Sequence, residues 1–473
     1  MSAFRMPVTP VLFGLAGCVG PWNPPGPGTE DSGPGTVDAV ELHPRCTTVF
    51  PDNLTLPVDP ETTFVIGTVF DHSLDTHVAR YRSAQLAASQ ANGNDGLEGR
   101  DFAMIHCTNE EGTGIDELDK DTASVEAAVW LADVAGVPAI VGPAASSRAE
   151  AVYNAVADAY GTLVVSPSAT SPSLTPLDGL SSTNADPGLF WRTAPPDDIQ
   201  GSAIAWDMAN NFDKKGTSVF RQFPSANVAV VYQVGAYGEG LEAAFASSFA
   251  DAGGTSQGFP FSDAGGRSDA LAQIEYGGFD EVLFASSDAT DVIAFIQGSV
   301  PLDGIDGLPI FLTDAARNAD VLTALEGQED RLAQVRGTVV TQPAGQVYGS
   351  FAASYASEYG AEDVSIHSYT AQSFDAAWLV IMGHAWAFYQ EGDVTGINIA
   401  RGMRKVSSGD EAEIRPTNWN LVKASFEEGL SVDVVGASGE LDYDTSGETS
   451  APIDVWTVLP SGDDFEVVET FTP

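Results

Sequence analysis

The stretch Val141-Gly-Pro-Ala-Ala-Ser-Ser-Arg-Ala-Glu-Ala-Val-Tyr-Asn-Ala-Val-Ala-Asp-Ala-Tyr-Gly-Thr-Leu-Val-Val-Ser-Pro-Ser-Ala-Thr-Ser-Pro172 decides the fold. It holds the end of one short apolar strand (Ala139-Ile140-Val141), a helix from about Arg148 to Tyr160, and a second apolar strand (Leu163-Val164-Val165). Each strand runs into a turn of small and hydroxyl residues. Short, wholly apolar strands separated by helices belong to a parallel sheet covered on both faces, because only such a sheet buries both sides of a strand. In such sheets ligands sit beyond the carboxyl ends of the strands, where turns and helix starts present free N–H groups.

Outward from this stretch the rhythm continues. Upstream lie the strand Phe64–Phe70, a helix from about His77 to Ala91, a strand at Asp101–His106 and a helix from about Thr122 to Ala135. After Thr193-Ala194-Pro195-Pro196 the pattern restarts with Asn227–Tyr232, a helix through Leu241–Ala252, and strands at Glu281–Ala285 and Pro309–Leu312. Helical patterning returns over Val347–Tyr359 and Ser368–Tyr389, and strand-like segments close the chain around Gly439–Tyr443 and Ile453–Val458. The fold class expected is α/β, built as two doubly wound lobes. At 473 residues the chain exceeds what one hydrophobic core usually organises, which agrees with two lobes.

The N-terminal end has a different character. A lone Arg5 precedes a short apolar stretch from about Val8 that closes on Leu15-Ala16-Gly17-Cys18, a signal-peptide layout that resembles the lipobox of bacterial lipoproteins and marks Cys18 as the lipidation site. From Val19 the chain is rich in Pro, Gly, Asp and Glu, centred on PPGPGTEDSGPG, and reads as a flexible tether before a body starting near Pro57. No later segment offers about 18 uninterrupted apolar residues, so no transmembrane helix is expected and the expected membrane contact is the lipid alone. In an oxidising compartment Cys46 and Cys107 either pair in a disulfide or stay as two buried thiols. The residue after Cys18 is Val19, not the Asp that governs membrane sorting in some bacteria, and inner and outer membranes both remain open.

With 66 acidic against 20 basic side chains, the formal charge of −46 repels nucleic-acid phosphates and excludes nucleic acid as a partner. The acidic residues are scattered, which reads as a solvated surface. No phosphate loop, nucleophile–base pair or metal cluster occurs at useful spacing, so no enzyme and no cofactor are expected. His72 and His77 are five apart, off one helical face, and Asp442, Asp444, Gly447 and Glu448 miss the twelve-residue calcium pattern.

The ordered strings from the strand at Phe64 through Val141–Thr175, FWRTAPPD (Phe190–Asp197), NVAVVYQVGAYGEGLEAAF (Asn227–Phe245) and GASGELDYDTSGE (Gly436–Glu448) resemble the leucine/isoleucine/valine-binding family of ABC-transporter receptors. That resemblance covers nearly everything after Pro57. It implies the type I periplasmic binding fold, with a three-crossover hinge at Thr193–Pro195, Thr341–Pro343 and Gly436–Gly439. One lobe takes residues 57–193 plus 342–435, the other 194–341 plus 436–473. It also implies a small amino-acid-like ligand delivered to an ABC transporter permease; a sensing partner, or a surface assembly role with a degenerate clamp, are the alternatives. By the same resemblance the ligand carboxylate falls to Ser146 or Ser147 and to Ser168, Ala169 and Thr170; Tyr237 faces ligand from the second lobe; Ser287 holds the next contact, and Asp314 the ammonium. The acid is Asp where the best-known members carry Glu, which leaves the ligand's amine open, with helix capping as the other role for Asp314. Ser and Thr in the two turns cap helices elsewhere without binding anything, but two such turns at successive strand ends point to a binding floor.

Overall fold

The computed structural model describes residues 40–112, 117–178, 183, 185–210, 224–305 and 307–473. Cys18 and the centre of the expected tether lie outside these residues.

The first sheet takes β1 (Thr48–Phe50), β2 (Thr63–Phe70), β3 (Asp101–Thr108), β4 (Ala139–Val141), β5 (Leu163–Ser166) and β6 (Phe190–Arg192), in the spatial order β1-β3-β2-β4-β5-β6. All pairs are parallel except β1 on β3. The helices α1 (Asp75–Asn92), α2 (Lys120–Asp133) and α3 (Ser146–Tyr160) connect these strands. Strand β2, TFVIGTVF, is buried along almost its whole length, as its unbroken apolar run requires. Gly67 in its middle is a packing necessity, because a Cβ there would run into the side chain of Leu131 on α2.

The chain then crosses and builds the second sheet. Helix α4 (Asp197–Asn210) leads to β7 (Asn227–Gln233), α5 (Ala236–Asp251), β8 (Thr255–Phe261), α6 (Ala264–Ile274), β9 (Glu281–Ala285), α7 (Ala289–Ser299), β10 (Ile310–Leu312), α8 (Ala319–Ala324), α9 (Glu329–Leu332) and β11 (Val335–Val340). Helices α10 (Gln346–Tyr359), α11 (Thr370–Trp386), α12 (Gly396–Met403) and α13 (Trp419–Glu427) then return to the first lobe, together with the small sheet β12 (Asp410–Glu413), β13 (Val432–Gly436) and β14 (Gly439–Glu440). Every residue of α11 is buried, and its Trp378 packs edge-on to Trp419 of α13 at 5.6 Å. Finally β15 (Ile453–Val458) and β16 (Phe465–Phe471) complete the second sheet, ordered β16-β15-β11-β10-β9-β7-β8.

Two boundaries differ from the sequence reading. Residues 40–56, assigned to the tether, are part of the body: Val40 N donates to Leu56 O at 3.1 Å, β1 pairs with β3, and Cys46 is disulfide-bonded to Cys107 in the buried layer beneath β3. Composition misled here because the segment is polar yet pinned at a few apolar points. The third crossover also lies later than Gly436–Gly439. Ala437, Leu441 and Tyr443 belong to the first lobe's core, and the chain passes to the second sheet near Pro452, whose carbonyl accepts from Thr341 N at 2.9 Å. The glycines that suggested a hinge instead fit against Asp375: its carboxylate accepts from Ala437 N (2.9 Å), Ser438 N (2.7 Å) and Ser438 Oγ (2.5 Å), and a side chain at Gly436 would collide with it.

Candidate functional site

The carboxyl ends of both sheets face one buried cavity of about 40 Å³. Its floor in the first lobe is made by the starts of α1 and α3, and its second-lobe wall by the starts of α5 and α7 and the turn after β10. Three of these helices begin without a side-chain cap, at Leu74, Ala145 and Gly235, so their terminal N–H groups stay open toward the cavity end of the sheet. Gly142, at φ +101, makes the turn from β4 possible; a Cβ there would strike the carbonyl of Val69.

Of the residues singled out from the sequence, Ser146, Ser168, Tyr237, Ser287 and Asp314 line this cavity. Ser146 Oγ accepts from Ser171 N at 3.1 Å and so ties the two hydroxyl-rich turns together. Ser168 Oγ donates to Ala144 O at 2.9 Å. Ser287 is held by Gln233, whose Oε1 accepts from the Ser287 amide at 3.2 Å and hydroxyl at 3.0 Å.

Ser147, Ala169 and Thr170 do not line it. The turn after β5 is pulled inward: Ala169 N donates to Ser166 Oγ at 3.0 Å, and Arg192 Nη1 takes the carbonyls of Ala169 (3.2 Å) and Ser171 (2.8 Å). Its backbone groups are therefore spent on holding the turn. Arg192 is itself locked in a bidentate pair with Glu448, both contacts at 2.6 Å. Among the described residues no cluster of metal-ligating side chains occurs.

The basic residues of the cavity, unlike Asp314, escaped the sequence reading. Arg80, on α1, is 5% exposed and gives all its hydrogen bonds to neutral serine oxygens: Nε to Ser368 O (2.9 Å), Nη2 to Ser368 Oγ (2.9 Å) and Nη1 to Ser168 Oγ (3.4 Å). Its guanidinium also lies 5.2 Å from the centre of the Tyr369 ring. Burial lowers its pKa to about 10, since no carboxylate pairs with it directly. Opposite, in the second lobe, Asp314 is equally buried and accepts only from neutral donors, Tyr237 Oη at 2.5 Å and Gln200 Nε2 at 3.4 Å. Burial, then the Asp314 charge, pushes the Tyr237 hydroxyl well above its usual range, so it stays a donor.

Behind Asp314 lies a shell of polar atoms that meet no hydrogen-bond partner among the described residues: Thr170 Oγ1, Thr313 Oγ1, Tyr369 Oη and both carboxylate oxygens of Asp197. Burial, reinforced by Asp314, raises the Asp197 pKa well above that of a free carboxylate. A residue pattern did point to Arg80. It falls on the inward stripe of α1 with Thr76, Ser83, Ala87 and Ala91, so helical periodicity alone turns a cation into the protein.

Nearer the rim, Lys120 Nζ bridges Asp71 (3.0 Å) of its own lobe and Asp288 (3.1 Å) of the other. Arg148 Nη2 lies 3.9 Å from the same Asp288, and its Nε 3.3 Å from Asp121. Burial works against the Lys120 charge, yet Asp288 and Asp71 outweigh it and hold its pKa above normal.

The fold that carries this cavity is similar to that of several solved structures. The leucine-binding protein of Thermotoga maritima matches over 87% of this chain and 99% of its own, at 18% identity and a TM-score of 0.66. A branched-chain amino acid transporter substrate-binding protein of Streptococcus pneumoniae, in complex with isoleucine, matches over 87% and 99%, at 17% identity and 0.63. A solute-binding protein of R. palustris, in complex with benzoate, matches over 87% and 97%, at 16% identity and 0.60. These likenesses show the fold; no curated protein matches the chain in sequence. The family model described as periplasmic binding protein matches residues 80–419, most of the body described above, and the chain belongs to that family.

Proposed function

We propose that the protein is an extracytoplasmic receptor that closes its two lobes on a small ligand carrying both a carboxylate and an amine, and passes it to a membrane permease of the ABC type. One observation carries this reading: a buried cation without a carboxylate partner (Arg80, first lobe) and a buried carboxylate without a cation partner (Asp314, second lobe) face the same cavity. Keeping an unpaired charge away from water costs several kcal/mol, and a fold retains two such charges where a ligand supplies the missing partners. A zwitterion does so. Its carboxylate meets Arg80, Ser146, Ser168 and the open start of α3; its ammonium meets Asp314 and the hydroxyls of Tyr237 and Tyr369.

Because the two charges sit in different lobes, neither half holds the whole ligand. Binding to one lobe followed by hinge closure joins them, and the closed form is what a permease recognises. Release of an unchanged ligand fits a site built to pair charges. The cost of the buried charges argues against a clamp that has lost its ligand. Export with lipidation at Cys18 holds the body at a membrane, in keeping with the absence, among the described residues, of any helix long and apolar enough to cross one. The test is a thermal-shift screen of the purified protein against amino acids and small carboxylates, since a ligand that binds only the folded state raises the melting temperature. A selective rise with one group of amino acids supports the reading; flat curves throughout refute it.

A further inference from the structure

We infer that the ligand's side chain ends in a second anionic group, read by Lys120 and Arg148 at the rim of the cavity, so that the receptor selects an acidic amino acid over aliphatic ones. This rests on the zwitterion site proposed above. Three of the chain's 20 basic residues, Arg80, Lys120 and Arg148, line this one cavity, although acidic residues outnumber basic ones by 66 to 20.

Their depths differ. Arg80 is buried at the floor beside Ser168, where the carboxylate of the amino-acid head belongs, whereas the side chains of Lys120, Asp288 and Arg148 keep 17%, 16% and 10% of their surface. A ligand with its head on Arg80 and Asp314 directs its side chain toward the remaining lining, which includes Lys120, Arg148 and Asp288. His77 adds a neutral donor to this lining. Its Nδ1 accepts from the Asp71 amide at 3.2 Å, so the ring proton sits on Nε2, and burial, with Arg80, Arg148 and Lys120 around it, keeps the ring uncharged.

The cations are not fully neutralised within their own lobe. Lys120 has Asp71, but the nearest acid to Arg148 is the half-exposed Asp121, and both cations share Asp288 from the opposite lobe. When the lobes part, Asp288 leaves with the second lobe, and the first presents Arg80, Lys120 and Arg148 to an incoming ligand. An acidic side chain supplies charge there that Asp288 alone divides between two cations. An aliphatic side chain would bury desolvated ion pairs against carbon, and the aliphatic lining available to it is Leu74 and small alanines, beside the rings of Tyr237 and Tyr369.

The test is calorimetric titration of the purified full chain with L-glutamate, L-aspartate, L-glutamine, L-asparagine and L-leucine. At least one of the two acids should bind tenfold or more tightly than its own amide and than leucine. Arg148→Gln should reduce the acid-over-amide preference by tenfold or more while changing amide affinity by less than threefold. Lys120→Met should act in the same direction, but it also strands Asp71, so the Arg148 variant, checked for an unchanged melt, decides. Leucine or an amide binding as well as the acids overturns the side-chain inference and leaves the amino-acid clamp standing. Failure of all five to bind also overturns the side-chain inference, and the clamp itself then stands or falls with the full amino-acid and carboxylate screen.

Discussion

Replacing Asp314 with Asn separates the role of this carboxylate from its place in the fold. The amide keeps the shape and an oxygen that can still accept from Tyr237 Oη, the 2.5 Å contact, but it no longer carries the charge that an ammonium needs. A charge-assisted hydrogen bond in a buried site contributes about 1.5 to 3 kcal/mol, so affinity for the amino-acid ligand should fall about 10- to 150-fold. The free protein should respond in the opposite way. Asp314 raises the pKa of the neighbouring buried Asp197, and removing the charge of one of two crowded acids relieves that unfavourable interaction. Melting of the ligand-free variant should therefore be unchanged or higher, while calorimetry shows the affinity loss. Affinity within twofold of the parent protein would refute the assignment of Asp314 to the ammonium. A large fall in ligand-free stability would instead make it a structural residue.

Three further outcomes follow from the same structure. The Cys46–Cys107 bond closes a loop with a sequence separation of 61, which on a chain-entropy estimate constrains the unfolded state by about 4 kcal/mol; denaturant midpoints of the parent and of a Cys46→Ser/Cys107→Ser variant should differ accordingly, and equal midpoints would contradict it. Glu448→Ala leaves the buried Arg192 without its bidentate partner and should cost about 3 to 5 kcal/mol in denaturant unfolding, with weaker ligand binding because Arg192 holds the Ala169–Ser171 turn. Burial lowers His72 to about 4, His106 to about 3 and His384 to about 4, so the unfolded chain binds these protons first; stability is full above about pH 7 and falls as pH drops below 6.5, by about 2 kcal/mol per histidine by pH 5. Burial also raises Asp375 to about 6, which offsets part of this loss in the same window, and denaturant midpoints at pH 7.5, 6 and 5 that do not fall would refute the sign.

The parallel sheets were legible because wholly apolar strands such as Ala139–Val141 and Leu163–Val165 admit no other burial, and their flanking turns located Ser146 and Ser168. Tyr237 and Asp314 came through resemblance, in strings whose spacing brought them to the second wall. Thr170 and Ala169 lie off the cavity lining, because Ser166 in the same turn and the distant Arg192 draw that turn inward, and the contact with Arg192 has no local signal. Lys120 and Arg148 were invisible for a different reason: in an exposed-looking helix start a cation reads as solvated, and only the approach of Asp288 from the other lobe shows otherwise. Arg80 was the one charged residue of the site that periodicity could have found, since its stripe on α1 is otherwise small and buried.

Calorimetry with three versions of one ligand bears most directly on the clamp. Once the screen has identified an amino acid that binds, its affinity is compared with that of its decarboxylated amine and its deaminated acid. Both truncated forms should bind at least tenfold more weakly, each leaving one buried charge, Arg80 or Asp314, without a partner. If either truncated form binds as tightly as the intact amino acid, the charge it lacks is not read, and the pairing of Arg80 and Asp314 across the cleft is not the basis of recognition.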